Sequence, residues 1–254
     1  MQIIHTDLVK DRFSRSFVNY NQEAVVQKQI AARMGHLLQG AMPKRVGCLL
    51  EIGCGTGFLT HQLVNSFLVE KYYLNDLAEN AIHEVEKNMG QANFTFVAGD
   101  AEVTASLPGS LDAIVSSSTF QWFKNIALFF RGCTTLLNPD GMLAFATFGP
   151  KNFEQIWHTL HIGLHYQPLN QLLNALGPYF HIIHAEEWQQ SELFASPAEV
   201  LRHIKLTGVN GIARHRFSKA RLLRFGEEYC SLFSKDGCRV ELTYHPIIII
   251  AKKK

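Results

Sequence analysis

The sequence predicts an α/β fold: one doubly wound sheet of seven strands, the last of them antiparallel, with a helical insertion ahead of that last strand. Three observations predict it. An apolar run beginning at Val46 stops in three glycines, Gly53, Gly55 and Gly57, and opens into a helical pattern at Phe58, Leu59, Leu63 and Val64. Further short apolar runs follow, each trailed by a helical pattern or a loop, which is the alternation of a parallel sheet covered on both faces. A final apolar run, Val240 to Ala251, contains the four isoleucines Ile247 to Ile250 and closes the chain.

The first strand and its turn read VGCLLEIGCGTG from Val46 to Gly57. A strand ending in glycines brings backbone close to a ligand, because no Cβ intervenes. The spacing is G-x-G-x-G rather than the G-x-G-x-x-G of dinucleotide folds, and Glu51 stands two residues before the first glycine. This version resembles the first motif of class I S-adenosylmethionine-dependent methyltransferases, where the loop faces a zwitterionic methionine and a ribose. Glu51, Gly53, Gly55 and Gly57 are therefore candidate cofactor-binding residues. The second strand, Lys71 to Asp76, ends in an acid nineteen residues after Gly57. At that place in a Rossmann-like βαβ unit a carboxylate accepts hydrogen bonds from both ribose hydroxyls; Leu77 follows it. The third strand, Asn93 to Gly99, delivers Asp100 and Ala101, and the fourth, Leu111 to Ser117, delivers Ser116. The fifth, Gly141 to Gly149, follows the turn Asn138-Pro139-Asp140-Gly141. All these candidates sit at C-terminal strand ends, where ligands bind in open α/β sheets.

With 254 residues, 47% of them hydrophobic, the chain suits a single domain. We divide it into a helical leader (1–45), a cofactor-binding core (46–150), a helical lid with one sheet strand (151–239) and a terminal strand (240–254). The lid is expected to hold helices Phe153 to Tyr166 and Leu169 to Leu176, a strand from His181 to Gln189, and two further helices. The first of these opens on the capping box Ser196-Pro197-Ala198-Glu199, with proline at its first turn, and ends near Gly208; Gly211 follows. The second runs from Ser218 to Phe233.

No apolar run of about 18 residues is present, and the start shows no continuous apolar segment of a secretory leader. We expect no membrane partner. The five cysteines form no C-x-x-C pair, which suits free thiols in a reducing cytoplasm. His158, His161 and His165 share one face of the expected helix, but no acidic or cysteine ligand lies near, so no metal site is expected. Formal net charge is only +2, yet Leu201 to Phe225 holds Arg202, Lys205, Arg214, Arg216, Lys219, Arg221 and Arg224 with no Asp or Glu. Such a segment implies an acidic partner. A nucleic acid, an acidic carrier protein or a phosphate-bearing arm all fit that charge.

Five stretches carry a more specific resemblance: the leader DRFSRSFVNYNQEAVVQKQIA, the glycine motif LEIGCGTG, SSSTFQWF after the fourth strand, LRHIKLTGVNG in the lid and VELTYHPIIIIAKKK at the end. Together they resemble the malonyl-acyl carrier protein O-methyltransferase family of biotin synthesis, from about Lys10 onward. Many members carry Asn-Leu-Ala where this chain has Ser117-Ser118-Thr119-Phe120, and the last strand is unusually rich in isoleucine. The resemblance implies methyl transfer from S-adenosylmethionine to the free carboxylate of malonyl-acyl carrier protein, on the seven-stranded methyltransferase sheet. It also implies that the acidic carrier docks on the Arg202–Arg224 region and that nucleic acid is not a partner. A carboxylate needs no general base, only alignment, a dry pocket and a group that recognises its charge. Arg202 is the candidate clamp, because a forked guanidinium matches a carboxylate. Tyr20 is a candidate donor to either ligand, and Gln121 and Trp122 are expected to line the transfer pocket. The alternatives are methylation of another small carboxylic acid, methylation of RNA or protein, and a binding module without turnover. An Asn-Pro-Pro-Tyr-like tetrapeptide after the fourth strand would mark an amide or exocyclic amine target, and this chain lacks one.

Overall fold

The computed structural model describes residues 6–89, 93–207 and 218–254. The chain opens with helices α1 (Thr6–Glu23) and α2 (Val25–Ala41), then alternates β1 (Arg45–Ile52), α3 (Phe58–Ser66), β2 (Leu68–Asp76), α4 (Ala81–Met89), β3 (Phe94–Ala98), β4 (Leu111–Ser117), α5 (Ile126–Leu136) and β5 (Leu137–Phe148). Helices α6 (Glu154–Leu160) and α7 (Leu169–Leu176) lead to β6 (Phe180–Glu187) and β7 (Gln190–Phe194). Helices α8 (Pro197–Leu206) and α9 (Lys219–Phe233) precede β8 (Ser234–Lys235), β9 (Arg239–Tyr244) and β10 (Pro246–Lys253).

Seven strands form the main sheet in the order β3-β2-β1-β4-β5-β10-β6. β1 to β5 pair in parallel, and β10 enters antiparallel between β5 and β6. The isoleucine run explains why β10 is interior. Ile247 and Ile249 pack with the α5 and α7 side, Ile248 and Ile250 with the α2 and α3 side, and all four are essentially without exposure. A strand covered on both faces has no position left for a polar residue. β1, β4 and β5 alternate in the same way, Leu49 against Leu50, Val115 against Ile114 and Ala144 against Phe145.

The insertion departs from the sequence reading in three places. Helix α6 stops at Leu160, because His161 takes a left-handed conformation (φ 54°). The expected helix to Tyr166 is therefore cut short, and the three histidines do not share a helix face. The closing apolar run is two strands, not one: it breaks at His245, so that β9 belongs to a second sheet, ordered β7-β9-β8. The insertion thus supplies the one strand expected of it, β6, to the main sheet, and two more, β7 and β8, to the second sheet. α8 and α9 stand on that second sheet. The His203 ring meets the Tyr244 hydroxyl (2.5 Å), and the Tyr229 hydroxyl donates to the Glu241 carbonyl (2.8 Å). Both helices begin where expected: Ser196 caps α8 by accepting from Glu199 N–H, and Ser218 caps α9 by accepting from Arg221 N–H. Gly208, Gly211, Arg214 and Arg216 lie outside the described residues.

His245 is the joint between the two sheets. Its carbonyl accepts from Gly149 N–H (2.7 Å), and its Nδ1 accepts from Lys151 N–H (3.1 Å). With Nδ1 an acceptor, Nε2 carries the proton and donates to Glu187 (3.1 Å). A Cβ on Gly149 would strike the His245 ring, so glycine is what lets β5 end against it.

The two-sided burial of β10 sets an expected cost. Ile249→Ala should lower unfolding stability by about 2–5 kcal/mol. Leu223→Ala on the exposed face of α9, where the leucine is 61% exposed, should change it by about 0.5 kcal/mol or less. Urea midpoints of the two variants check this; equal midpoints would contradict the assigned place of β10.

Candidate active site

The C-terminal ends of β1, β2, β3 and β4 surround a cleft of about 1040 Å³, counting space open to solvent. The glycine loop forms its floor, and the end of β2 holds that loop. The Asn75 carbonyl accepts from both Gly53 N–H (2.8 Å) and Cys54 N–H (3.0 Å). Asp76 accepts from Gly55 N–H at Oδ2 (2.9 Å) and from Ala78 N–H at Oδ1 (2.8 Å). Gly53, Gly55 and Gly57 all have positive φ (66°, 52° and 90°). Each is needed for a different reason. A Cβ on Gly53 would overlap the Thr119 side chain, whereas one on Gly55 would meet nothing within 4 Å. Gly55 thus turns a bare backbone face to the open cleft. Gly57 does not line the cleft; its left-handed conformation starts α3.

The acids are tuned by burial. Glu51, 1% exposed at the end of β1, accepts from the Tyr72 hydroxyl (2.5 Å). Burial pushes its carboxyl up to about 7, and the Tyr72 bond only partly offsets this. Asp76 is also raised by burial, against the opposing pull of its backbone donors. Asp100 accepts from Glu102 N–H (2.9 Å), and Glu102 holds the Lys124 and Asn125 N–H groups (2.9 and 2.8 Å). Asp100, Ala101 and Leu77 line the cleft as expected from their strand ends. Ser116 does not. It is fully buried, and its hydroxyl donates to the Ile52 carbonyl (2.9 Å), so it ties β4 to β1 beneath the loop.

The roof is α1. Val9, Phe13, Phe17 and Tyr20 reach the cleft from it. Over the first chamber the cover comes from the leader helix, against which α8 packs, whereas the insertion contributes Asn152, Phe153 and Tyr166 to the inner one. Tyr20 stacks on Phe58 (5.7 Å, 26°), and Phe13 stands edge-on to Trp122 (5.7 Å, 86°). Burial and the nearby Asp76 raise the Tyr20 hydroxyl far above its ordinary range, so it stays protonated and acts as a donor. A second chamber, of about 300 Å³ counting space open to solvent, opens beyond it and shares Phe13, Tyr20, Gln27 and Ser118 with the first. Of these two chambers Gln121 lines the inner one alone, with Asn152 and Tyr166, which bond to each other (2.9 Å).

Arg202 reaches neither chamber. The inner face of α8 is Val200, His203, Ile204 and Thr207, three and four residues apart, and Arg202 falls outside it, exposed. The clamp expected of it has no support in this geometry. The residues missed were Gln27, Asn75, Ser118 and Thr119. Asn75 and Ser118 had a signal, being strand-end polar residues beside chosen ones; Gln27 sits on α2 with none.

The methyltransferase domain profile matches residues 50–145. The chain is 39% identical to the malonyl-[acyl-carrier protein] O-methyltransferase of Bacteroides helcogenes, over 97% of this chain and 98% of that one. The chain belongs to the malonyl-[acyl-carrier protein] O-methyltransferase family. The protein of that name from Bacteroides thetaiotaomicron is 38% identical over 97% of this chain and 98% of its own length. Among solved structures, the N-methyltransferase NodS of Bradyrhizobium japonicum, in complex with S-adenosyl-L-homocysteine, superposes with a TM-score of 0.58 at 12% identity. That likeness covers 96% of this chain and 98% of that one, and it concerns the fold.

The cofactor of such a family is S-adenosylmethionine, and the residues fit it. Gly55 leaves an open backbone face, Asp76 and Asp100 bring carboxylates to the cleft that can accept hydrogen bonds, and Leu77, Ala101 and Phe58 give apolar walls. Two expectations follow. Gly53→Ala, clashing with Thr119 and strained at its φ, should weaken cofactor binding at least about 100-fold; near-native affinity in calorimetry would contradict the close approach. The second concerns protons. Glu51 is raised in the folded protein, so the stability it contributes is complete below its unfolded value near 4.5 and is lost as pH rises to about 7. A cation in the cleft lowers the carboxyl again. Cofactor binding should therefore release protons near pH 6, seen as a buffer-dependent enthalpy, and Glu51→Gln should remove most of that release. Net uptake near pH 6 would contradict it.

Proposed function

We propose that this enzyme transfers a methyl group from S-adenosylmethionine to the free carboxylate of malonyl-acyl carrier protein, giving the methyl ester used in biotin synthesis. Membership of the family carries this reading, together with a cofactor cleft that continues into a second chamber. The cofactor supplies an electrophilic methyl on a sulfonium. Everything else falls to the residues. The carboxylate is anionic at neutral pH, so no side chain has to take a proton, and Tyr20 holds its own. The glycine loop and Asp76 fix the donor side. Phe13, Phe17 and Trp122 exclude water from the acceptor oxygen and strengthen each polar contact in the pocket. Tyr20 donates at the boundary between the chambers, and Gln121 faces the acyl side.

The acidic carrier docks, in this reading, on the basic surface of α8 and α9. Arg202, Lys205, Lys219 and Arg224 are exposed, and Leu222 and Leu223 between them are 42% and 61% exposed. A surface that offers apolar side chains among cations suits a helical, acidic partner. We place the activity in the cytoplasm, where a reducing poise keeps the five cysteines as thiols.

Purified protein, S-adenosylmethionine and malonyl-carrier should give a mass gain of one methyl group. Lys219→Glu with Arg224→Glu should raise KM for malonyl-carrier about tenfold or more at low salt and flatten its salt dependence, with kcat little changed. No mass gain in the unmutated protein would reject the function, and an unchanged KM would reject the docking face alone.

A further inference from the structure

We propose that the malonyl carboxylate is seated by neutral donors, the Ser118 hydroxyl and the Trp122 indole N–H with the Gln27 amide beside them, and that the sulfonium it attacks is its counter-charge. The inference rests on the reading of this chain as a malonyl-carrier methyltransferase. Three polar atoms carry it. Ser118 Oγ, Trp122 Nε1 and Gln27 Oε1 are buried and have no hydrogen-bond partner in the protein. Gln27 and Trp122 are only 5% and 7% exposed. A buried donor left unpaired destabilises a fold, so such atoms concentrated in one place mark where a ligand completes them. All three line the cleft, and Gln27 and Ser118 also line the inner chamber, so the group they await sits at the junction of the two. The Gln27 amide, turned about its last torsion, presents N–H₂ where Oε1 now stands.

The backbone at Ser118 supports the same assignment. Ser118 is left-handed (φ 57°), a conformation that costs a serine and persists where surrounding contacts hold it. Here its N–H donates to the Ala146 carbonyl (2.9 Å), and its carbonyl accepts from Gln121 Nε2 (2.6 Å). The backbone that carries the hydroxyl is thus held in place before any ligand arrives.

Charge decides the rest. Among the described residues no Lys or Arg lines either chamber, while Glu51, Asp76, Asp100 and Glu102 line the first. A lone carboxylate in such surroundings is too costly to bind. It becomes bindable when a fixed positive charge stands opposite, and in this reaction that charge is the sulfonium. The methyl C–S bond breaks as the C–O bond forms, no proton moves, and anion and cation vanish together. A neutral ester then faces a neutral thioether, and the attraction that held the substrate is gone.

The test uses the unmutated protein loaded with either of two cofactor analogues: sinefungin, which carries an ammonium near the sulfonium position, and S-adenosylhomocysteine, which carries none. Malonyl-carrier should bind the sinefungin complex at least about 10-fold more tightly than the S-adenosylhomocysteine complex. Ser118→Gly, which keeps the left-handed backbone, and Trp122→Phe, which keeps a ring against Phe13, should each weaken binding to the sinefungin complex about 10-fold or more while leaving sinefungin affinity unchanged. Equal affinity of malonyl-carrier for the two complexes, with methyl transfer intact, would overturn the proposal and reveal a protein cation in the seat. Native affinity in both variants would overturn it too. Absence of methyl transfer from the unmutated protein would remove the reading on which it rests, and the proposal with it.

Discussion

The structure of the site depends on the grip that the end of β2 keeps on the glycine loop. Gly53, Cys54 and Gly55 give up their N–H groups to two consecutive residues, Asn75 and Asp76. A loop of positive-φ glycines has many conformations open to it, and these three bonds select one. The same grip explains why Asp76 is placed as it is. Its carboxylate lines the cleft and holds the loop at once, so one residue shapes both the wall and the floor beside it. Ser116, below, holds β1 against β4, so the floor is fixed from both sides.

The electrostatics of the cleft run opposite to those of the substrate. Four carboxyl groups line the chamber where a positively charged ligand belongs, and burial raises two of them. An acidic pocket attracts a sulfonium and repels a malonate. The seat proposed for the carboxylate implies an order of arrival: the cation changes the character of the site, and the anion becomes acceptable only afterwards. The basic surface of α8 and α9 lies away from this chamber and does not offset it.

The sheet was legible in the sequence because each of its signals is local. Five strands, their order of succession and the glycine turn follow from apolar runs that end in polar or glycine residues. That Gly53, Gly55, Asp76, Asp100 and Ala101 line the cleft was legible for the same reason, since they stand at strand ends. What could not be read is what depends on chain reversal in space. Nothing local says that α1 roofs the cleft. Nor does anything say that Arg202, one residue from the buried His203, faces outward. The break at His245 was hidden because apolar residues continue on both sides of it; only the pairing of β9 with β7 separates the two strands. Gln27 is the clearest case: a polar residue on a helix, set in the site by how α2 packs.

The place of β10 has a consequence for synthesis. β6 pairs with β10 and β10 with β5. A ribosome delivers β5 and β6 long before it delivers Pro246–Lys253. Until then β5 shows an unpaired edge with the apolar sequence LAFATF, and β6 has no neighbour in the sheet. Nascent chains with such an open edge are prone to pair with one another. The eight residues of β10 are therefore the ones that close the sheet, and until they emerge both of the edges they will join stand open.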